Sequence, residues 1–305
     1  MSSTRRFAHL FASALILALS ITPSLVAQQV PAAIAADPPI DKAHPAAMQS
    51  FQIPSHGAQL NAIAYLAAGE GPHPVVLMLH GFPGNEKNLD LAQAIRRAGW
   101  NAVYFDYRGS WGSPGAFSFS NCLEDTEAAI AYLRSPANAA RLSTDPKRIV
   151  LVGHSMGGFM AAYTGSHDSG ILGTVLISAA NFHDWAGGDV KPQDEKANRA
   201  RLIADLVDND ILPLAGCTGE SLADEMFSHR KEWNFVDYAA QFGGRPLLVI
   251  TSDDGLAPTN ERLVAAVHQQ PNARVTSVHF ATDHSYSDHR IALEAVVLNW
   301  LSAFK

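Results

Sequence analysis

Apolar and polar positions change period along this chain in a regular way. Residues 75–79, 102–107, 149–152, 174–178 and 246–251 are short apolar runs rich in Val, Ile and Leu, the pattern of strands buried on both faces. Between them, 92–98 and 123–134 carry apolar residues at helical spacing, and Phe159, Met160, Ala161, Ala162 and Tyr163 form an unbroken run compatible with a buried helix. This alternation predicts a mostly parallel central sheet with helices on both faces. Residues 51–53 and 60–66 predict an antiparallel hairpin at its edge, 274–281 a further strand, and Ile291, Ala295, Leu298 and Leu301 a closing helix. From about 181 to 241 the alternation stops. That stretch is mixed helical and polar, contains Trp185, Trp233, Phe235 and Tyr238, and reads as a helical cap inserted between two strands.

The run Gly153-His154-Ser155-Met156-Gly157 falls where the 149–152 strand gives way to a helix. A serine flanked by glycines at this spacing fits a turn too tight for larger neighbours, and the turn lifts the Ser155 hydroxyl clear of the sheet. Serine is a weak nucleophile until a base takes its proton, and the base needs a carboxylate to orient it. Asp253 and Asp254 follow the 246–251 strand, at the strand end where parallel sheets face their ligands. Three histidines follow: His279 inside the 274–281 strand, where alternation favours packing, His284 in the next loop, and His289 with the last helix. The order serine, acid, histidine is thus present.

These separated motifs resemble the α/β-hydrolase superfamily of serine hydrolases, over roughly 49–305. The resemblance implies an α/β-hydrolase fold with Ser155 as nucleophile, Asp254 as the orienting acid and His284 as the base, His289 standing second. Asp254 is preferred because Asp254-Gly255-Leu256-Ala257-Pro258 resembles the family pattern of Asp, three residues, then Pro; Asp253 reads as a solvated turn residue. The segment Leu77-Met78-Leu79-His80-Gly81-Phe82-Pro83-Gly84 resembles the family's His-Gly oxyanion motif, which implies backbone N–H donors at Phe82 and Met156. Gly81 and Gly84 would let that backbone approach the substrate, and His80 and His154 are read as residues that orient loops. Residues 105–115 resemble the loop after the fourth strand in the branch of dienelactone hydrolases, prolyl-oligopeptidase-like peptidases and small-ester esterases.

Composition narrows the classes further. A chain of 305 residues, 47% hydrophobic and 17% charged, is long enough for one sheet-centred domain with a large core. A formal charge of -7 argues against nucleic-acid binding, which calls for a basic stripe. The 13 histidines are scattered without metal-ligand spacing, so no cofactor or metal is expected.

At the N-terminus, Arg5 and Arg6 precede an apolar run at 11–21, too short to span a bilayer, followed by small residues. This is the pattern of a secretory signal over 1–27, with a second small-x-small cleavage point at Ala33-Ile34-Ala35, and with an uncleaved anchor as the alternative. Cleavage after Ala27 removes two arginines and no acids, taking the charge from -7 to -9. Residues 28–48, rich in Ala and Pro, then read as a flexible tether. The expectation is an exported protein, periplasmic or extracellular, with no stable membrane insertion once the signal is gone. Export makes Cys122 and Cys217 candidates for one disulfide.

The expected function is a secreted serine hydrolase that cleaves carboxylic esters through a Ser-His-Asp triad and an acyl-enzyme. A serine peptidase or aminopeptidase on short peptides is the alternative; Asp184, Asp189, Asp194 and Glu195 in the insertion could bind a free amine, and a solvated face explains them equally well. A binding protein on the same fold is disfavoured, because every motif position is filled.

Overall fold

The computed structural model describes residues 30–209 and 211–304. The signal at 1–27 therefore lies outside the described residues. Eight strands form one sheet: β1 (Ala47–Ser55), β2 (Ala58–Leu66), β3 (His73–Leu79), β4 (Asn101–Phe105), β5 (Thr144–His154), β6 (Gly173–Ile177), β7 (Pro246–Thr251) and β8 (Arg274–His279). Their order is β1-β2-β4-β3-β5-β6-β7-β8. The β1–β2 hairpin and the β2–β4 pair are antiparallel, and every pair from β4 through β8 is parallel.

Period-two alternation sorts the strand side chains onto two cores. Val75, Leu77 and Leu79 of β3, with Ile149 and Leu151 of β5 and Leu247 and Val249 of β7, face one layer. Val76, Met78, Val150, Val152, Leu248 and Ile250 face the other. The first layer holds α3 (Phe119–Arg134), α5 (Met156–His167), α9 (Ala257–His268) and the segment between β6 and β7; the second holds α2 (Leu89–Arg97) and α10 (Arg290–Ser302). Strands sealed on both sides read as continuous apolar runs, which is why 149–152 and 246–251 show no alternation in sequence.

Two short helices were not anticipated from the pattern. One is α1 (Ala32–Ala35), inside the stretch read as a tether. Its Ala33 and Ile34 pack against the α2/α10 core, and Arg97 Nε donates to Ala33 O, so this part of 28–48 is docked rather than free. A tether composition gives way here because two apolar side chains find an apolar groove to cover. The other is α4 (Pro136–Leu142), which Pro136 opens at a position where its missing N–H does no harm. His289 caps α10 rather than lying within it.

The segment between β6 and β7 carries α6 (Phe182–Trp185), α7 (Glu195–Asp208) and α8 (Gly219–Ser228), then a 3-10 stretch at Phe235–Phe242. It is tied to the sheet layer by polar contacts as well as apolar ones. Glu225 of α8 accepts from both Phe119 N and Ser120 N at 2.8 Å, satisfying two otherwise unpaired amides of the first turn of α3 where the helix dipole favours an anion. Trp111 N donates to Pro213 O, Ala215 N to Gly109 O and Phe117 N to Ala215 O, stitching the loop after β4 to the same segment. Cys122 and Cys217, the candidate disulfide pair, are free thiols; Cys122 is buried and Cys217 half-buried, and burial raises the pKa of both.

Removing the Glu225 carboxylate leaves two amide donors without their partner at a half-buried helix start. Glu225→Ala is expected to lower stability by about 1–3 kcal/mol, with Glu225→Gln intermediate. Urea unfolding midpoints check this, and an unchanged midpoint for the alanine variant would show that the contact contributes nothing.

Candidate active site

Ser155 sits between β5 and α5 with φ 57° and ψ -120°, a backbone conformation that costs a non-glycine residue about 1–3 kcal/mol. The surrounding structure enforces it. Ser155 N donates to Ile177 O at 2.9 Å, while Ser155 O accepts from Gly158 N at 2.9 Å and Ala180 N at 3.0 Å. The flanking glycines are required by space. A methyl group on Gly153 would lie 2.0 Å from Gly157 O, and one on Gly157 would lie 2.0 Å from Leu79 O and 2.6 Å from His80 O.

This last contact brings the end of β3 onto the start of α5. The loop 80–84 leaves β3 there, and a methyl group on Gly81 would lie 2.9 Å from Ser155 Cβ and 3.5 Å from Oγ. Phe82 is the next residue, and its N–H has no acceptor among the described residues. Met156 opens α5, so its N–H lacks an intrahelical acceptor as well. The loop is held from two sides. Trp111 Nε1 donates to Pro83 O at 2.8 Å, and His80 Nδ1 donates to Gly81 O at 2.8 Å. His80 is itself buried, which pushes its pKa down to about 4 and keeps it neutral, with its one proton on the Nδ1 that faces Gly81 O. Neither Trp111 nor the Lys87–Asp106 pair beside His80 was singled out from sequence for this role; Lys87 Nζ lies 3.0 Å from Asp106 and 4.4 Å from the Trp111 ring centre.

Asp254 follows β7 and His284 follows β8, and His284 Nδ1 donates to Asp254 Oδ2 at 2.6 Å. Burial of Asp254 would raise its pKa, but the His284 contact, Leu256 N–H and the Ser178 hydroxyl outweigh burial and hold the carboxyl well below its ordinary range. Ser178 also bonds Ser252 Oγ and Tyr286 OH, each at 2.9 Å, so the acid and the histidine loop share one buried hydroxyl cluster. The imidazole is 40% exposed and the carboxylate 5%, an accessible ring backed by a buried carboxylate. Ser155 Oγ and His284 are not hydrogen-bonded in this conformation; catalytic contacts of this kind often close only around substrate.

The other candidates go elsewhere. Asp253 pairs with His279 at 3.1 Å on the exposed edge beside β8, where His279 Nδ1 also meets Thr251 Oγ1. His289 pairs with its neighbour Asp288. In the inserted segment, Asp184 is engaged by Arg262 at 2.6 Å and by the Thr259 hydroxyl, while Asp189 is fully exposed. Arg290 was not anticipated: its guanidinium joins Ser285 O to Asn88 and Asp90 ahead of and within α2, tying the histidine loop across to the region that follows the loop 80–84.

With this geometry in view, residues 76–296 match a family model described as the alpha/beta hydrolase family. The chain belongs to that family. It is 32% identical over 146 residues to the quorum-quenching protein AidA of Acinetobacter baumannii, an alignment covering 46% of each protein. It is 26% identical over 149 residues to the proline iminopeptidase PfmaB of Pestalotiopsis fici, covering 47% of this chain and 49% of the other. The chain thus spans about half the length of these curated relatives. Among solved structures, Est1E from Butyrivibrio proteoclasticus with bound ferulic acid superposes with a TM-score of 0.62 at 18% identity, over 83% of this chain and 98% of that one. The metagenomic carboxylesterase EstE1 gives 0.57 at 21%, over 84% and 89%. At these identities the likeness is one of fold.

His80 and His154 are both fully buried, and burial brings them to about 4 and about 3 from an ordinary 6.5. Between those values the unfolded chain binds protons that the folded one refuses, so stability is intact above about pH 6.5 and falls as pH drops toward 4. Each histidine contributes about 1.4 kcal/mol per pH unit across its window. Urea midpoints measured from pH 7 to 4.5 check this. A flat profile down to pH 5 would show that neither imidazole is held neutral.

Proposed function

We propose that this protein is a serine hydrolase acting on small carboxylic esters, with Ser155 as nucleophile, His284 as general base and acid, and Asp254 as the residue that orients His284. The observation that carries the reading is an accessible histidine bonded to a buried carboxylate at 2.6 Å, in a chain whose strained Ser155 stands at a strand-to-helix turn packed against the loop 80–84.

In the reading, Ser155 Oγ attacks the ester carbonyl as His284 Nε2 takes its proton, and the carbonyl oxygen becomes an anion facing Phe82 N–H and Met156 N–H. Those amides are fixed before the reaction begins, so they stabilise charge as it forms without reorganising. Asp254 keeps the proton on His284 Nδ1 and stabilises the imidazolium. Collapse of the intermediate expels the alcohol, which takes the proton from His284, and a water activated by the same imidazole then releases the acid and restores Ser155.

An ester is favoured over a peptide with a free amino terminus by the state of the acids in the insertion. Asp184, which an amine-binding site would need free, is already neutralised by Arg262. The residues packed around Phe82 of the loop 80–84 are instead aromatic. Phe82 and Trp185 meet edge to face at 5.9 Å and are only partly buried, while Phe117, Phe119 and Phe182 behind them are buried. Such a wall suits a compact apolar or flat acyl or alcohol group. The insertion carrying Trp185 is read as the cap that shapes the pocket.

We also read the chain as exported, on the basis of Arg5, Arg6 and the apolar run at 11–21. The docking of Ala33 and Ile34 favours cleavage after Ala27, which keeps α1, over cleavage after Ala35, which removes it.

A panel of p-nitrophenyl esters and aminoacyl p-nitroanilides separates the readings. The mature protein is expected to turn over short or aromatic esters and leave the anilides untouched. Ser155→Ala is expected to lose at least about a thousandfold in kcat and all labelling by a fluorophosphonate probe. Persistent labelling of that variant would overturn the assignment of Ser155, and anilide turnover would move the protein to the peptidases. Trp185→Ala is expected to raise activity on bulky acyl groups relative to short ones, and an unchanged ranking would remove Trp185 from the pocket.

A further inference from the structure

His154 immediately precedes Ser155 in the chain, and its imidazole is buried at the end of β5. Its Nε2 lies 2.8 Å from His284 O. A carbonyl only accepts, so Nε2 carries the proton and Nδ1 is left as a lone pair. That lone pair is buried without a partner among the described residues. Leaving a buried acceptor unmatched costs stability, and an apolar side chain of similar volume would avoid that cost. The position therefore holds a group whose packing alone does not justify it, and its one satisfied contact is with the backbone of the base proposed above.

We infer that His154 is a positioning residue for His284: its Nε2–H grips the His284 carbonyl and sets the base over Ser155. This rests on the reading of Ser155, Asp254 and His284 as the reacting set. The two rings lie 4.7 Å apart, inclined by 40°, so His154 also forms a wall against which His284 rests. The loop is then held at three successive residues. His154 takes the carbonyl of His284, Arg290 Nη1 takes that of Ser285 at 2.9 Å, and Ser178 takes the hydroxyl of Tyr286 at 2.9 Å. Of these three, only the first acts on the base itself.

Neutrality is part of the role. A cation at His154 would oppose the imidazolium that forms on His284 during turnover. Burial, together with the neighbouring His284, keeps His154 down at about 3. The charged groups that reach it are Arg290, which adds to that effect, and Asp254, which works against it.

The test compares His154→Leu, which removes the donor, with His154→Gln, whose amide nitrogen stands near the place of Nε2 and restores it. On the best ester of the panel, His154→Leu is expected to lose about 10–100-fold in kcat, the scale of an ångström misplacement of a reacting group, with KM changed less than about threefold. His154→Gln is expected to recover most of that loss. The far-downfield proton resonance of the His284–Asp254 hydrogen bond should broaden or vanish in the leucine variant and persist in the glutamine variant. Should His154→Leu fail to fold, His154→Asn, too short to reach the carbonyl, takes its place in the comparison. Equal kcat in the donor-lacking variant and the parent, or equal losses in the donor-lacking and glutamine variants, would overturn the inference. Ser155→Ala and His284→Ala, run alongside, distinguish the two readings: activity surviving in those variants sinks the proposed function, whereas its loss there with a normal His154→Leu sinks only the role of His154.

Discussion

The site depends on the absence of a side chain at Gly157. With nothing on its Cα, α5 starts against the end of β3, where an added methyl group would fall 2.0 Å from Leu79 O. That single approach brings the start of α5 and the loop 80–84 together beside Ser155. Parallel pairing of β3 with β5, with Leu79 opposite Gly153, supplies the same juxtaposition from the sheet side. The positive φ of Ser155 is sustained because its N–H and C=O are both bonded to β6 and to the residues that follow it.

A second constraint is dielectric. Polar groups that organise the site lie where water is excluded, so each must be matched or kept neutral. Asp254 is matched by His284, Leu256 N–H and the Ser178 hydroxyl. His80 and His154 are each matched on one nitrogen only, and burial resolves the rest by removing their charge. The cost of these half-satisfied imidazoles falls on stability, while the loops they hold carry the donors and the histidine at Asp254. Active sites commonly concentrate such locally unfavourable choices.

How much of this was legible in the sequence follows from which forces act locally. Strands β3 to β7 are visible as apolar runs because two-sided burial writes itself into consecutive residues, and the edge hairpin β1–β2 is visible by alternation. The turn at Ser155 is legible because the two residues that must lack side chains, Gly153 and Gly157, lie two positions to either side of it. His284 could be separated from His279 by the strand boundary, since one lies in β8 and the other past its end. Arg290, Trp111 and Ser178 were illegible for the opposite reason: each acts on a partner reached only through the fold, as when Arg290 bridges Ser285 to Asp90, 200 residues from it. Docking of α1 was hidden by the same rule, because Ala33 and Ile34 look like tether until α2 and α10 meet beside them.

The insertion is the least legible part. The segment between β6 and β7 has no sheet to impose a period on it, and it is held by scattered anchors: Glu225 on the start of α3, backbone pairs to the loop after β4, and the aromatic stack of Phe119, Phe159, Phe182 and Trp233. Those rings are buried and set where the segment sits, whereas Trp185 and Phe82 at the end of the same aromatic chain remain partly open. On the proposed function, anchoring and recognition therefore share one continuous apolar cluster. A change deep in the stack, such as at Phe182, which lies 6.1 Å from Trp185, acts on the pocket wall by moving its support. On the proposed function, substrate preference can in this way drift through substitutions that never touch the substrate, while the turn at Ser155, constrained by a 2.0 Å approach, has no room to follow.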